Sequence, residues 1–141
     1  MTELISGNSF TDNRGTLKFV NDFTFPDVKR FYQIIHPDVD VVRAWQGHKI
    51  EHKYFYAVKG KFAIGCVEID NWDTPSPDLE AKVTILEEGL PAVLSVPPGY
   101  ANGIKALEKD SILMVYSNLS LQESAEDRWS FDAALWFDWK I

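Results

Sequence analysis

The chain of 141 residues has a single cysteine, Cys66, so no intrachain disulfide can form and a disulfide-stapled scaffold is excluded. Cys66 lies in the apolar run Phe62-Ala63-Ile64-Gly65-Cys66-Val67, which points to a buried thiol and fits a reducing compartment. No uncharged apolar stretch approaches the about 18 residues that a membrane-spanning helix needs. Met1 to Ser9 carries Glu3 and Asn8 where a signal peptide has an apolar core. A cytoplasmic protein with no membrane partner is therefore expected. Basic residues are scarce: 14 Lys and Arg against 21 Asp and Glu leave a net charge of -7 and a pI near 4.9, which argues against a nucleic-acid partner. A Gly-rich phosphate loop, a Gly-x-Ser-x-Gly elbow and a Cys-x-x-Cys pair are all missing, so their chemistries have no support.

What is present describes a globule. Hydrophobic residues at 45% and aromatics at 13% are enough for a real core, and the length suits one domain spanning 1–141. Runs rich in aromatic and β-branched residues recur between Gly, Pro, Asn and Asp: 16–20, 30–35, 41–45, 53–58, 61–69, 82–86, 92–96, 103–107 and 111–116. This rhythm predicts an all-β protein, either two packed sheets or a closed barrel, because nine strands in one open sheet would leave long edges exposed. Lys59-Gly60 is expected to turn a hairpin between two of the runs. Asn71 to Asp78, with Pro75 and Pro77, is expected to be a surface loop, and Glu87-Glu88 and Glu126-Asp127 are expected in solvated turns. One short helix is expected over Ser120 to Trp129, where Leu121, Ala125 and Trp129 recur at spacing four and Ser120 with Glu123 would form a capping box.

The charge is unevenly placed. Residues 1–61 hold 9 basic side chains against 7 acidic ones, and residues 62–141 hold 5 against 14, so a local anion site belongs to the first half. All three histidines, His36, His48 and His52, fall in one 17-residue window, and Arg43, Lys49, Lys53, Lys59 and Lys61 crowd its second part beside one acid, Glu51. On a regular strand Gln46 and His48 share a face while Lys53 points away, so a turn or bulge near Gly47 to Ile50 is needed to bring His48 and Lys53 to one ligand. The alternative is an ordinary strand whose lysines form a solvated edge.

Several segments together resemble the double-stranded β-helix cupins, or jelly-roll barrels, that act on nucleotide-linked 4-keto sugars: the dTDP-4-dehydrorhamnose 3,5-epimerases and the dTDP-sugar 3,4-ketoisomerases. They are Asp12-Asn13-Arg14-Gly15-Thr16-Leu17, Lys29-Arg30-Phe31-Tyr32, Arg43-Ala44-Trp45-Gln46-Gly47-His48-Lys49, Lys53, Pro97-Pro98-Gly99-Tyr100-Ala101-Asn102-Gly103 and Asp132-Ala133-Ala134-Leu135-Trp136-Phe137-Asp138-Trp139. The resemblance implies Arg43 at the pyrophosphate, Arg14 reaching the nucleotide of a neighbouring subunit in a homodimer, and Lys53 at the sugar's keto oxygen. Of two family histidines, the first is Gln46 here and the second is His48. Asn102 stands where a later histidine stands in the family. Trp45 or Tyr100 would supply a sugar or base platform. The tyrosine proton donor of the epimerases has no counterpart in Tyr116 to Leu121, and the segment holding the acidic partner of their histidine is not found up to Ile141.

The activity so implied is isomerisation or epimerisation of a nucleoside-diphosphate-linked 4-keto-6-deoxyhexose, in sugar biosynthesis for surface polysaccharides. His48 would remove a proton next to the ketone and Lys53 would stabilise the enolate oxygen. No cofactor is expected, and no metal, because Gln46 and Asn102 are poor substitutes for imidazole at the metal-binding cupin positions. The alternative is a catalytically silent cupin that binds a carbohydrate or sugar nucleotide.

Overall fold

Every strand pairing in the chain is antiparallel. A computed structural model describes residues 1–141. In chain order the strands are β1 (Glu3–Ser6), β2 (Asn8–Asp12), β3 (Gly15–Phe19), β4 (Arg30–His36), β5 (Val42–His48), β6 (Lys53–Lys59) and β7 (Lys61–Glu68). There follow β8 (Lys82–Glu87), β9 (Ala92–Val96), β10 (Tyr100–Ala106), β11 (Ser111–Ser117), the helix α1 (Leu121–Ala125) and β12 (Trp129–Ser130). One sheet has the order β1-β9-β6-β11-β4 and the other β12-β5-β10-β7-β8, with β2 and β3 forming a separate hairpin. This is the all-β jelly-roll arrangement of the cupins. No helix is long and apolar enough to cross a membrane.

All nine expected strands form, but β1, β2 and β12 were not anticipated, and β10 begins at Tyr100 rather than Gly103. Lys59-Gly60 does not close a hairpin. β6 and β7 lie in different sheets, and Gly60, at φ 74°, turns the chain from one to the other. A side chain there would collide with Ser111, whose hydroxyl accepts the N–H of Lys61. The capping box forms as expected: the Ser120 side chain accepts from the Glu123 backbone and Glu123 returns to the Ser120 N–H. The helix nevertheless ends at Ala125, because Asp127 turns inward and Trp129 pairs with Gly47.

The core between the sheets includes Phe55, Phe62, Ile64, Leu86, Leu94, Ile104, Leu113 and Val115. Burying each such side chain contributes about 1.5–3 kcal/mol. Cys66 joins this cluster, and burial pushes its thiol up to about 12. A second layer covers the outer face of the β5-β10-β7 sheet with Trp45, Val67, Ile69, Ala101 and Trp139. β7 is thus buried on both faces, which accounts for its unbroken apolar run. The layer needs bare backbone beneath it: a Cβ on Gly103 would lie 2.5 Å from the Trp139 ring. The 71–78 loop stays at the surface, yet Trp72 folds back onto Trp129 and Phe131.

Candidate active site

A β-bulge decides which residues of β5 face the interior. Asn102 pairs with Gln46 and Ile104 with Arg43, so Ala44 and Trp45 together oppose the single residue Gly103. Side chains alternate along a strand, and residues three apart such as Arg43 and Gln46 would otherwise face opposite ways. The extra residue restores them to one face, and Arg43, Gln46 and His48 all line a cavity of about 600 Å³ between the sheets. β5 then ends at His48, and the turn through 49–52 brings Lys53, the first residue of β6, into the same cavity. Asn102 reaches it from β10, Arg30 and Tyr32 from β4, and Arg128 from the segment after α1.

His48 is buried, and its Nδ1 lies 2.7 Å from the Asp127 carbonyl oxygen and 3.2 Å from Glu51 Oε1. A carbonyl only accepts, so Nδ1 carries the proton and Nε2 is left with its lone pair. That Nε2 is buried and has no partner within the protein. Burial and then Lys53 pull the imidazole below its ordinary pKa, while the Asp127 carbonyl and Glu51 act against them. At neutral pH the ring is an uncharged base in a residue that lines the cavity.

Lys53 is 9% exposed and makes no ion pair within 4 Å. Burial lowers its ammonium to about 8, with Glu51 opposing, so it is still mostly charged at pH 7. The lysine is not part of a solvated edge. Glu51, fully buried, was missed as a site residue. Its Oε1 accepts from Ser124 at 2.8 Å, Oε2 accepts from the Ser117 hydroxyl, and Arg30 Nη2 approaches Oε2 at 3.4 Å. Burial pushes the Glu51 carboxyl up, but Lys53, Ser117, His48 and Ser124 together outweigh it and the net direction is down.

Asp127 is a correction to the solvated turn expected for Glu126-Asp127. It is 3% exposed, and its carboxylate accepts the backbone N–H groups of Lys49, Ile50 and Glu51 at 2.8, 2.9 and 2.8 Å. It therefore shapes the turn that joins His48 to Lys53. The signal available in the sequence was weak: a capping box followed by an acid and an arginine.

Of the other residues singled out from the sequence, Gln46 and Asn102 are in the cavity, and Gln46 Nε2 donates to Ser130 Oγ at 3.2 Å. Arg43 is there too, with its Nε–H directed at His36 Nε2. Trp45 is not a platform. It is 1% exposed on the far side of the sheet, where its Nε1 donates to the Leu135 carbonyl and its ring meets Trp136 and Trp139. Tyr100 does not line the cavity either. Arg14 stands on the β2–β3 hairpin, its side chain 82% exposed and paired with Asp12 at 2.7 Å, apart from the cavity. Arg30, Arg128 and Tyr32 were not anticipated in the site. Arg30 packs over the Tyr32 ring at 4.8 Å, and burial raises the phenol's pKa. The cavity offers one imidazole and two amides at the metal-binding cupin positions, a donor set that does not fit zinc or iron.

The fold and the cavity place the chain's structural likeness among the cupin-type sugar-nucleotide isomerases. The 3,4-ketoisomerase QdtA from Thermoanaerobacterium thermosaccharolyticum, solved in complex with TDP, is 25% identical over 90% of this chain and 85% of its own, with a TM-score of 0.69. The dTDP-4-dehydrorhamnose 3,5-epimerase from Sulfolobus tokodaii is 25% identical over 99% of this chain and 81% of its own, with a TM-score of 0.79. The Bacillus anthracis 3,5-epimerase, solved with TDP and PPi bound, shares the fold at 19% identity, 99% and 85% coverage and a TM-score of 0.79. No family model matches the chain, and no curated protein matches it.

Proposed function

We propose that the chain is an isomerase or epimerase of a nucleoside-diphosphate-linked 4-keto-6-deoxyhexose, working in the biosynthesis of sugars for surface polysaccharides. The observation that carries this reading is that His48, whose Nε2 has no hydrogen-bond partner within the protein, lines the same cavity as Lys53. His48 Nε2 takes the proton from the carbon next to the ketone, and the electron pair of the C–H bond moves into a C–C double bond as the keto oxygen becomes an enolate. Lys53 stabilises that oxygen with its ammonium charge. The Asp127 carbonyl and Glu51 stabilise the imidazolium that forms. In an isomerisation the hydroxyl proton of the deprotonated carbon then passes to the enolate oxygen and the imidazolium protonates the former ketone carbon, which moves the carbonyl by one position; in an epimerisation the new proton must reach the deprotonated carbon from the opposite face.

The cavity brings together Arg30, Arg43, Arg128 and Lys53 in a chain whose net charge is -7. Such concentration of positive charge suits a diphosphate, with Arg43 as its principal contact. Gln46 and Asn102 suit the sugar hydroxyls. Residues 1–141 are read as one cupin domain. Arg14, which does not line this cavity, is read as reaching the nucleotide bound by a second copy in a homodimer, and the protein is read as cytoplasmic.

A second reading, a cupin that binds a sugar nucleotide without turning it over, draws on Gln46 and Asn102, amides where the family resemblance leads one to expect imidazoles. One experiment separates the two. TDP-4-keto-6-deoxyglucose incubated with the protein in heavy water is expected to acquire deuterium next to the ketone, read by mass spectrometry. Saturable binding with no label selects the silent binder.

A further inference from the structure

Arg43 reaches the cavity with its charge intact. No carboxylate lies within 4 Å of it, in contrast to Arg30, which approaches Glu51 at 3.4 Å. Its one side-chain partner is His36, the last residue of β4, whose Nε2 accepts the Arg43 Nε–H at 3.2 Å. A ring nitrogen that accepts is unprotonated, so His36 is the neutral imidazole with its proton on Nδ1. That Nδ1–H is buried without a partner, in a ring 1% exposed and set against Phe62 at 5.8 Å between centroids. Burial and then Arg43 keep the ring from charging, with Asp38 opposing them.

A carboxylate in this position would orient the guanidinium but cancel its charge. The neutral imidazole orients it through Nε and leaves the charge and both terminal nitrogens available, and those two nitrogens form the fork that matches two oxygens of a phosphate. A free arginine side chain would lose rotamer freedom on binding, which weakens affinity; one already held loses less. The unpaired Nδ1–H is unfavourable for folding, and packing alone would be met better by an apolar ring of similar shape. We propose that His36 is a positioning residue that presets Arg43 for a phosphate-bearing ligand while leaving its charge uncompensated. The proposal rests on the reading of Arg43 as a diphosphate contact.

The test is calorimetric titration of the full chain with thymidine diphosphate and, separately, with thymidine. His36→Phe is expected to weaken thymidine diphosphate roughly 5- to 10-fold through the loss of preorganisation, and to leave thymidine unchanged. In turnover, KM is expected to rise with kcat nearly constant. His36→Gln, whose amide oxygen can accept the same Nε–H, is expected to stay within about twofold of the parent. Arg43→Ala supplies the reference. If it weakens thymidine diphosphate and His36→Phe does not, the positioning role is overturned and the Arg43 reading stands; if Arg43→Ala itself has no effect, the Arg43 reading fails. Should His36→Phe not fold, nitrogen NMR of the unaltered protein decides. A neutral ring protonated at Nδ1 from pH 6 to 8 supports the role, and a charged or Nε2-protonated ring overturns it.

Discussion

The imidazole of His48 points its Nδ1 at the backbone carbonyl of Asp127, 2.7 Å away and 79 positions later in the chain. The carboxylate of the same aspartate holds the three N–H groups that follow His48. One residue thus sets both the tautomer of the base and the path of the chain toward Lys53. In this geometry the base and the ammonium are delivered by a single turn, and their separation is governed by a side chain from another part of the molecule.

Loss of either member of the pair should abolish most exchange. His48→Asn removes the proton acceptor and is expected to slow deuterium incorporation by about 10²- to 10⁴-fold. Lys53→Met removes the enolate stabiliser and is expected to raise the barrier by on the order of 3 kcal/mol, about a hundredfold in rate. Arg43→Ala should act mainly on affinity, because a phosphate contact is present in ground and transition states alike. Losses of only severalfold in His48→Asn and Lys53→Met would reject the mechanism and leave the fold untouched.

The pH profile follows from the protonation states required. His48 must be neutral and Lys53 charged. The imidazole is held below its ordinary value of 6.5 and the ammonium is lowered to about 8. kcat/KM is therefore expected to rise with pH along a limb centred below 6.5 and to fall along a limb near 8. A rate still climbing above pH 9 would show that a protonated Lys53 is not needed.

Asp127→Ala leaves three backbone N–H groups without their acceptor. Hydrogen bonds to a charged acceptor contribute about 1.5–3 kcal/mol each, so even with partial replacement by water the loss is expected to be roughly 3 kcal/mol. In a domain of this size that corresponds to a melting temperature about 6–12 °C lower. Thermal unfolding measures it, and an unchanged melting temperature would mean that the turn holds its shape without the carboxylate.

Gly103→Ala tests the aromatic layer. Its Cβ would sit 2.5 Å from the Trp139 ring and 3.0 Å from the Ala44 Cβ, so the indole has to shift. A loss of about 1–3 kcal/mol is expected, read from denaturant unfolding. Gly89→Ala is the control, since nothing lies within 4 Å of a Cβ there.

The sequence by itself determined where nine of the twelve strands form, because apolar alternation between turn residues is a local property. It also determined the start of α1, since a capping box needs only residues three apart. Arg43, Gln46, His48, Lys53 and Asn102, which the family resemblance singled out, line one cavity, whereas Arg14, Trp45 and Tyr100 do not. Tertiary structure alone decided which way Trp45 points. The face of a strand residue depends on the parity of its register, one bulge opposite Gly103 reverses that parity, and register is set by the partner strand rather than by β5 itself. It likewise decided the fate of the acids. Glu51 and Asp127 resemble surface carboxylates in sequence, and whether a carboxylate is buried depends on donors brought to it by folding, here Ser117 and Ser124 for Glu51 and the N–H groups of 49–51 for Asp127. Those donors lie 66 to 78 positions away along the chain, beyond the reach of any local pattern.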